Sequence, residues 1–572
     1  VAENVERRNR VVRSRLPGRF AWGLAAALPL AFLTLFFLWP VVSLVIVGFG
    51  GGLGLPGSGS SSVEGVRTVL AEARTWRVIG QTLAQALCGT ALSLALGMPA
   101  AFVLYRLDFR GRSLLRGLAT VPFVLPTVVV GVAFTALLGE GAPLGWLGFD
   151  QSFIAIVLAL AFFNVTVVAR TVGGFWGQLD PRAEQAARML GASPARAFAT
   201  VTLPRLAPAL ASAAALVFLF CATSFGVVLI LGGRAFSNIE TEIYRLTVQF
   251  LDLRSAAVLS VIQMIIVTAV LIASSRLRRR REQAVDMRFE TTRLITPNRA
   301  HLSAIIVFGC TAVVLHALPI FALVQRSLRA SDGSFTWANY VHLVTPPESV
   351  RLNSTVIEAV WLSLQFAVQA SLLAMVLGVL VTLVASRRPR QRWLRRAIEV
   401  FDGFIMLPLG VSAVTVGFGL LLTMHRPLGL GFDLRTSSLL IPIAQALIAL
   451  PLVVRTLVPV LRGLDHRQRE AAVMLGASPL RIIGTIDLRV LSRPLGLALG
   501  FAFAVSLGEF GATAFLVRPD AHTLPVMVAT LIGRQGAENY GMALAAAVVL
   551  GVLTAAVMLL AERWRGEVAS EI

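Results

Sequence analysis

The sequence predicts an all-α polytopic membrane protein, built as two parallel repeats of about six transmembrane helices each. Three observations lead there. First, 56% of the 572 residues are hydrophobic and only 14% are charged, with a mean hydropathy of +0.78. A soluble globular domain carries about 25% charge. Second, apolar windows long enough to cross a hydrocarbon core, roughly 20 residues each, recur along the whole length. Third, the string Met-Leu-Gly-Ala-Ser-Pro stands unaltered at Met189–Pro194 and again at Met474–Pro479, an offset of 285 residues.

Twelve windows follow in order, near 20–48, 79–105, 118–139, 152–170, 208–232, 256–275, 300–325, 356–386, 398–424, 438–460, 494–517 and 541–561. The offset of 285 also relates Arg170 to Arg455, and Ser224-Phe225-Gly226 to Glu509-Phe510-Gly511. About sixty residues thus align without an insertion, which chance explains poorly. The expected halves are residues 1–285 and 286–572, each with a polar loop, near 175–205 and 460–490.

The net charge of +21 comes from arginines gathered in alternate short loops. Arg7 to Arg19 precede the first window, Arg106 to Arg116 follow the second, Arg276 to Arg281 the sixth, and Arg387 to Arg396 the eighth. Basic residues favour the cytoplasmic side, so both termini are expected inside. The same distribution argues for contact with anionic lipid and against a nucleic-acid partner. Cys88, Cys221 and Cys310 all fall inside windows with no metal or pairing pattern. The apolar run from Phe20 past Val45 exceeds a signal peptide's core, so an uncleaved first span is expected.

The sequence holds no lysine, so no Gly-Lys-Ser/Thr phosphate loop exists to bind ATP. It has neither a His-Glu-x-x-His zinc pattern nor a Gly-x-Ser-x-Gly nucleophile elbow. No catalytic residue, metal or cofactor is assigned to this chain.

The repeated loop has a readable structure. Asp180 is placed to cap a helix beginning at Pro181, and Asp465 with Gln468 forms a capping-box pattern. Gly191 and Gly476 suit helix C-termini. Ser193-Pro194 and Ser478-Pro479 then open a second helix, serine as N-cap and proline in the first turn.

Gln185-Ala186-Ala187-x3-Gly191 through Leu203-Pro204, and Glu470-Ala471-Ala472-x3-Gly476 through Leu488, resemble the Glu-Ala-Ala loop of permease subunits in binding-protein-dependent ABC importers. The resemblance implies a coupling helix in each half, made of Glu184, Gln185, Ala186, Ala187, Gly191, Ser193 and Pro194, and of Glu470, Ala471, Ala472, Gly476, Ser478 and Pro479. It implies two copies of a cytoplasmic ABC ATPase, where ATP and Mg2+ are bound, and a periplasmic or lipid-anchored substrate-binding protein. Two positions depart from the pattern. Gln185 stands where the glutamate is expected, with Glu184 one place early, and Leu488-Arg489 replaces the second Leu-Pro.

Proline and glycine interruptions in corresponding spans point to a translocation path: Pro122, Pro126 and Gly131 against Pro408, Gly410 and Gly417. Kinks that serve packing are an equally good reading. Glu509 lies within a span, where a carboxylate costs about 2.5–3.5 kcal/mol, so it is a pathway or gate candidate beside Phe510, opposite Ser224 and Phe225. A hydrogen-bonded structural glutamate is the alternative. Asn164 and Gln445 are weaker candidates, with interhelical hydrogen bonds as their default.

Phe162-Phe163-Asn164, Cys221 to Phe225, Ile239 to Tyr244, Ile262-Gln263-Met264 and Leu488 to Pro494 resemble the fused permeases of thiamine and thiamine pyrophosphate importers. Fused ferric-iron permeases share much of the pattern and are the alternative. A stand-alone secondary transporter would need several deep ionisable residues, whereas here the deep acids are Glu509 and, near a span end, Asp402.

Overall fold

The computed structural model describes residues 22–49, 62–282, 294–330, 332–350, 352–387, 391–427, 431, 433–518 and 521–569. Among these residues every regular element is a helix, and extended pairing is confined to isolated bridges such as Leu107 with Ile295. Helices are the expected solution for separate apolar segments, because each satisfies its own backbone polar groups where no water can.

In chain order the first elements are α1 (Trp22–Gly48), α2 (Ala73–Arg106), α3 (Arg112–Val124), α4 (Thr127–Leu138), α5 (Phe153–Trp176), α6 (Arg182–Met189) and α7 (Pro194–Ala222). There follow α8 (Gly226–Leu231), α9 (Ile239–Val248), α10 (Leu253–Ala273), α11 (Arg299–Ser327), α12 (Val356–Ala385) and α13 (Arg392–Ile405). The last are α14 (Ala413–Thr423), α15 (Leu440–Gly463), α16 (His466–Met474), α17 (Leu480–Gly508), α18 (Thr513–Leu516), α19 (Leu524–Ile532) and α20 (Ala537–Ala561). Ten of these are continuous helices long and apolar enough to span a membrane, and α3 with α4, bent by 97°, makes an eleventh candidate.

The windows near 118–139 and 398–424 are therefore not single helices. In the first, Leu125 and Pro126 are extended and α4 starts afresh. Proline lacks an amide hydrogen and drives the preceding residue out of helical geometry. In the second, Pro408 sits in a one-turn segment, Leu407–Gly410, after which Ser412 caps α14 through the Val414 amide at 3.1 Å. The windows near 208–232 and 494–517 also break, after Ala222 and after Gly508.

The chain forms two compact units. Of the described residues, one draws on those within 22–44, 358–523 and 553–569, the other on those within 45–357 and 524–552. Most of α1 thus belongs with α12–α18, while α11 belongs with α2–α10. In the first unit Leu33 and Phe37 of α1 share a core with Leu377, Val381, Phe401, Ile405 and Leu447. In the second, Leu315 and Ala322 of α11 join a core that includes Phe134, Phe162, Val168, Leu206 and Val217. The rings of Phe134 and Phe162 meet edge to face at 6.1 Å, and His316 Nε2 lies 3.0 Å from the Phe162 carbonyl. Several buried hydroxyls are satisfied inside their own helices, Thr90 to the Ala86 carbonyl, Ser93 to Gly89 and Thr382 to Gly378.

Candidate functional site

The two copies of the polar loop fold alike. In the first, Asp180 Oδ1 accepts from the Arg182 amide at 2.9 Å, so aspartate caps as expected, with α6 beginning one residue after Pro181. In the second, Asp465 Oδ1 accepts from the Arg467 amide at 3.0 Å. Each short helix then closes through a left-handed glycine, Gly191 with φ +89° and Gly476 with φ +81°. The Ala192 amide donates to the Ala187 carbonyl (3.1 Å) and Gly191 to Arg188 (3.0 Å); Ala477 donates to Ala472 (3.0 Å) and Gly476 to Val473 (3.0 Å). This crossed pair is the Schellman closure, and φ above zero is why glycine occupies that position. Ser193 Oγ then accepts from the Arg196 amide (3.3 Å) and Ser478 Oγ from Arg481 (3.4 Å), with Pro194 and Pro479 opening the next helix.

The closure pushes two large apolar side chains into the open. Met189 is 89% and Leu190 90% exposed; Met474 and Leu475 are both 88% exposed. Sequence reasoning assigned the loop's role to its acid, alanines, glycine, serine and proline, and missed these tips. The signal was present in the unaltered Met-Leu of the duplicated string. Gln185, Ala186, Glu470 and Ala471 are exposed as well, while Ala187 and Ala472 are half-buried.

Glu184, one place before the exposed Gln185, is half-buried. Its Oε2 accepts from Thr202 Oγ1 at 2.7 Å, at the base of the loop. The offset of 285 matches Glu184 to Arg469 and Thr202 to Asp487, and there Arg469 Nε donates to Asp487 Oδ1 at 2.7 Å. The other Asp487 oxygen accepts from Arg387 Nη2 at 2.8 Å. Burial holds the Arg387 guanidinium below its ordinary value, against the pull of Asp487. Thr202 and Asp487 each end a π turn, Phe198–Thr202 and Ile483–Asp487, that opens the following helix.

The pathway candidates are buried, and several are locally satisfied. Glu509 accepts from the amides of Ala512 (2.7 Å) and Thr513 (3.0 Å) and from Thr513 Oγ1, so its carboxylate caps the chain where α17 breaks and α18 begins. Phe510 is buried beside it. Ser224 sits at the matching break between α7 and α8; Asn238 Nδ2 donates to its carbonyl at 2.7 Å, while its own hydroxyl has no partner. The Phe225 ring packs 5.4 Å from Tyr244. Asn164 Nδ2 donates to the Leu160 carbonyl (2.8 Å) and reaches Cys221 Sγ on α7 (3.4 Å), while Gln445 is buried on α15. Pro122 lies in the first turn of Val121–Val124, and Pro408 in the turn before α14. Gly131 and Gly417 mark close packing: a Cβ would lie 3.0 Å from Ile230 in the first case and 2.6 Å from the Ala512 Cα in the second.

Two glutamates of the 239–244 segment, not singled out from the sequence, are buried and partnered. Glu240 accepts from Gln263 Nε2 at 2.6 Å, and Glu242 holds Arg74 at 2.7 and 3.0 Å and Arg245 at 2.9 Å.

A polytopic helical chain with a broken span and a duplicated loop that exposes the same apolar tip twice is a membrane protein with an internal repeat. It belongs to the family of binding-protein-dependent transport system inner membrane components, whose model matches residues 93–281 and 374–565. The chain is 27% identical over 502 residues to the thiamine transport system permease protein ThiP of Escherichia coli K12, covering 85% of this chain and 87% of that one. The ThiP of Haemophilus influenzae is 24% identical over 533 residues, covering 90% and 92%. The sulfate transport system permease CysT of Escherichia coli is 36% identical over 158 residues, 27% of this chain and 57% of its own. Among solved structures, a chain of a bacterial ABC transporter that imports alginate covers 47% of this chain and 99% of its own, with 16% identity and a TM-score of 0.39.

Proposed function

We propose that this permease carries thiamine or a phosphate ester of it into the cytoplasm, driven by two copies of a separate ATPase. The substrate reading rests on the likeness to thiamine permeases along 85% or more of the chain. The arginine-rich loops support an orientation with both termini and both polar loops on the cytoplasmic side of the inner membrane. An external binding protein delivers the substrate on the opposite side.

The observation that carries the docking reading is the twin exposed tip, Met189-Leu190 and Met474-Leu475. Large apolar side chains so fully exposed, each behind a left-handed glycine, suit insertion into an apolar groove of a partner. ATP and Mg2+ are bound in that partner. When the ATPases close, the two loops are carried along and the bundle shifts between states.

The test is uptake in sealed proteoliposomes with the ATPase and the binding protein. ATP-dependent accumulation of thiamine is expected; uptake that continues without ATP or without the ATPase overturns the reading. Substituting Met189, Leu190, Met474 and Leu475 with serine is expected to abolish co-purification of the ATPase while leaving membrane insertion intact.

A further inference from the structure

The strongest unassigned feature is the base of the two loops, where equivalent positions carry different chemistry. Its frame is the same in both copies. A Cβ on Gly97 of α2 would lie 2.5 Å from Val168 of α5, and one on Gly378 of α12 would lie 2.5 Å from Val453 of α15. Val168 and Val453 keep the 285 offset, while Gly97 and Gly378 are 281 apart, and so are Arg106 and Arg387. Each loop base therefore has an arginine at or just beyond the end of the preceding long helix, a residue on the short loop helix and a residue closing the π turn.

In the first copy these are Arg106, Glu184 and Thr202, which with Trp176 and Arg205 line a shallow cleft. There Thr202 donates a hydrogen bond to Glu184, and the Glu184 carboxylate also attracts the largely buried Arg106 guanidinium without a direct ion pair. In the second copy they are Arg387, Arg469 and Asp487, and one fully buried carboxylate binds two guanidiniums. The Arg387 guanidinium also stacks 4.5 Å over the Trp22 ring at the start of α1, and Arg462 of α15 donates to the Ala385 carbonyl at the end of α12. Arg387 Nε and Arg469 Nη2 are buried without a hydrogen-bond partner, so the hydrogen bonds that join the two arginines both run through Asp487. Through this triad the loop and α17 are joined to the end of α12 and, by way of Arg387, to the start of α1.

The geometry points to Asp487 as a positioning residue: it locks the second coupling loop to the end of α12, so that a push on the Met474-Leu475 tip moves the long helices rather than the loop alone. The first loop has the softer version of the joint. This rests on the ATP-driven permease reading for its functional arm, and the experiment has a second arm that does not.

In a background with Cys88, Cys221 and Cys310 replaced by serine, a spin label at Leu475→Cys reports loop mobility in the isolated chain. Asp487→Thr is expected to mobilise that label and to leave a label at Leu190→Cys unchanged. The double variant Arg469→Glu with Asp487→Thr rebuilds the Glu-Thr tie of the first copy and is expected to restore the immobile spectrum. In proteoliposomes with the ATPase, binding protein and thiamine, uptake per ATP hydrolysed is expected to fall about tenfold in Asp487→Thr and to recover in the double variant. Should Asp487→Thr fail to accumulate, Asp487→Asn carries both readings. An unchanged label at Leu475, or a loss that the double variant does not relieve, overturns the inference. Wild-type uptake independent of ATP defeats the permease reading instead, and the label still decides the joint.

Discussion

The two loop copies agree wherever backbone geometry is at stake and diverge where only a contact is needed. Both have the left-handed glycine, the crossed amide pair, the serine cap and the exposed Met-Leu tip. At the base, Glu184 and Thr202 face Arg469 and Asp487. A positive φ admits few residues besides glycine, whereas a tie between two side chains can be made by any complementary pair. The repeat thus constrains the shape presented outward and leaves its anchoring chemistry free to differ between copies.

The largest effect expected from this difference is on stability. Asp487→Ala strands two arginines, one of them largely buried, and breaking a buried pair from one side costs about 3–5 kcal/mol. Thr202→Ala removes one hydrogen bond from a half-buried Glu184 and is expected to cost about 1 kcal/mol. Denaturation in detergent, followed by fluorescence, ranks them. Equal losses would mean that the second joint is no stronger than the first.

A similar asymmetry holds at the helix breaks, where the comparison is Glu509 with Ser224. Glu509→Ala leaves the amides of Ala512 and Thr513 without their acceptor and is expected to cost about 2 kcal/mol. Ser224→Ala removes a buried hydroxyl that has no partner and is expected to change stability by less than about 0.5 kcal/mol. The same unfolding measurement checks both. If Glu509→Ala also abolishes uptake at a temperature where the protein stays folded, the carboxylate acts in the pathway as well as in the cap.

These contrasts mark what the sequence could and could not reveal. Apolar windows, arginine loops and the hexapeptide made the helical fold, the repeat and the loop turns legible, because hydropathy and glycine or proline positions act locally. The breaks at Pro126 and Pro408 were legible as interruptions, whereas the close packing at Gly131 and Gly417 depended on remote neighbours, Ile230 and Ala512. Glu184 was legible only as an acid one place early, because a string comparison sees its neighbour at 185 and not its hydrogen bond to Thr202, 18 residues further on. The placement of α1 with α12–α18 and of α11 with α2–α10 follows from tertiary packing between remote segments, which no local pattern encodes.

The glycines test the part of the comparison where the copies agree. Gly191→Ala and Gly476→Ala meet no atom within 4 Å, so only the left-handed backbone opposes a Cβ. Each is expected to cost about 1 kcal/mol, and the two costs should match within about 0.5 kcal/mol, by thermal unfolding in detergent. A marked inequality would show that the loop bases reach through to the turn.

The smallest effect is expected at Gln185, where the first copy lacks the acid that Glu470 supplies in the second. Both positions are exposed, so Gln185→Glu should leave stability within about 0.5 kcal/mol of the parent. Under the proposed docking, what it changes is the charge offered to the ATPase. An exposed ion pair is worth about 0.2–1 kcal/mol, so affinity for the ATPase should rise by no more than about fivefold, and the gain should fade as salt rises. Titration of the ATPase against wild-type and Gln185→Glu permease at low and high ionic strength measures this directly. A salt-sensitive gain would mean that both ATPases offer the same cation to the two loops and that the first copy has simply lost its partner. A weakening would mean that the surface facing Gln185 is itself acidic or apolar, so that the two docking sites differ beyond the permease, as the two loop bases already differ within it.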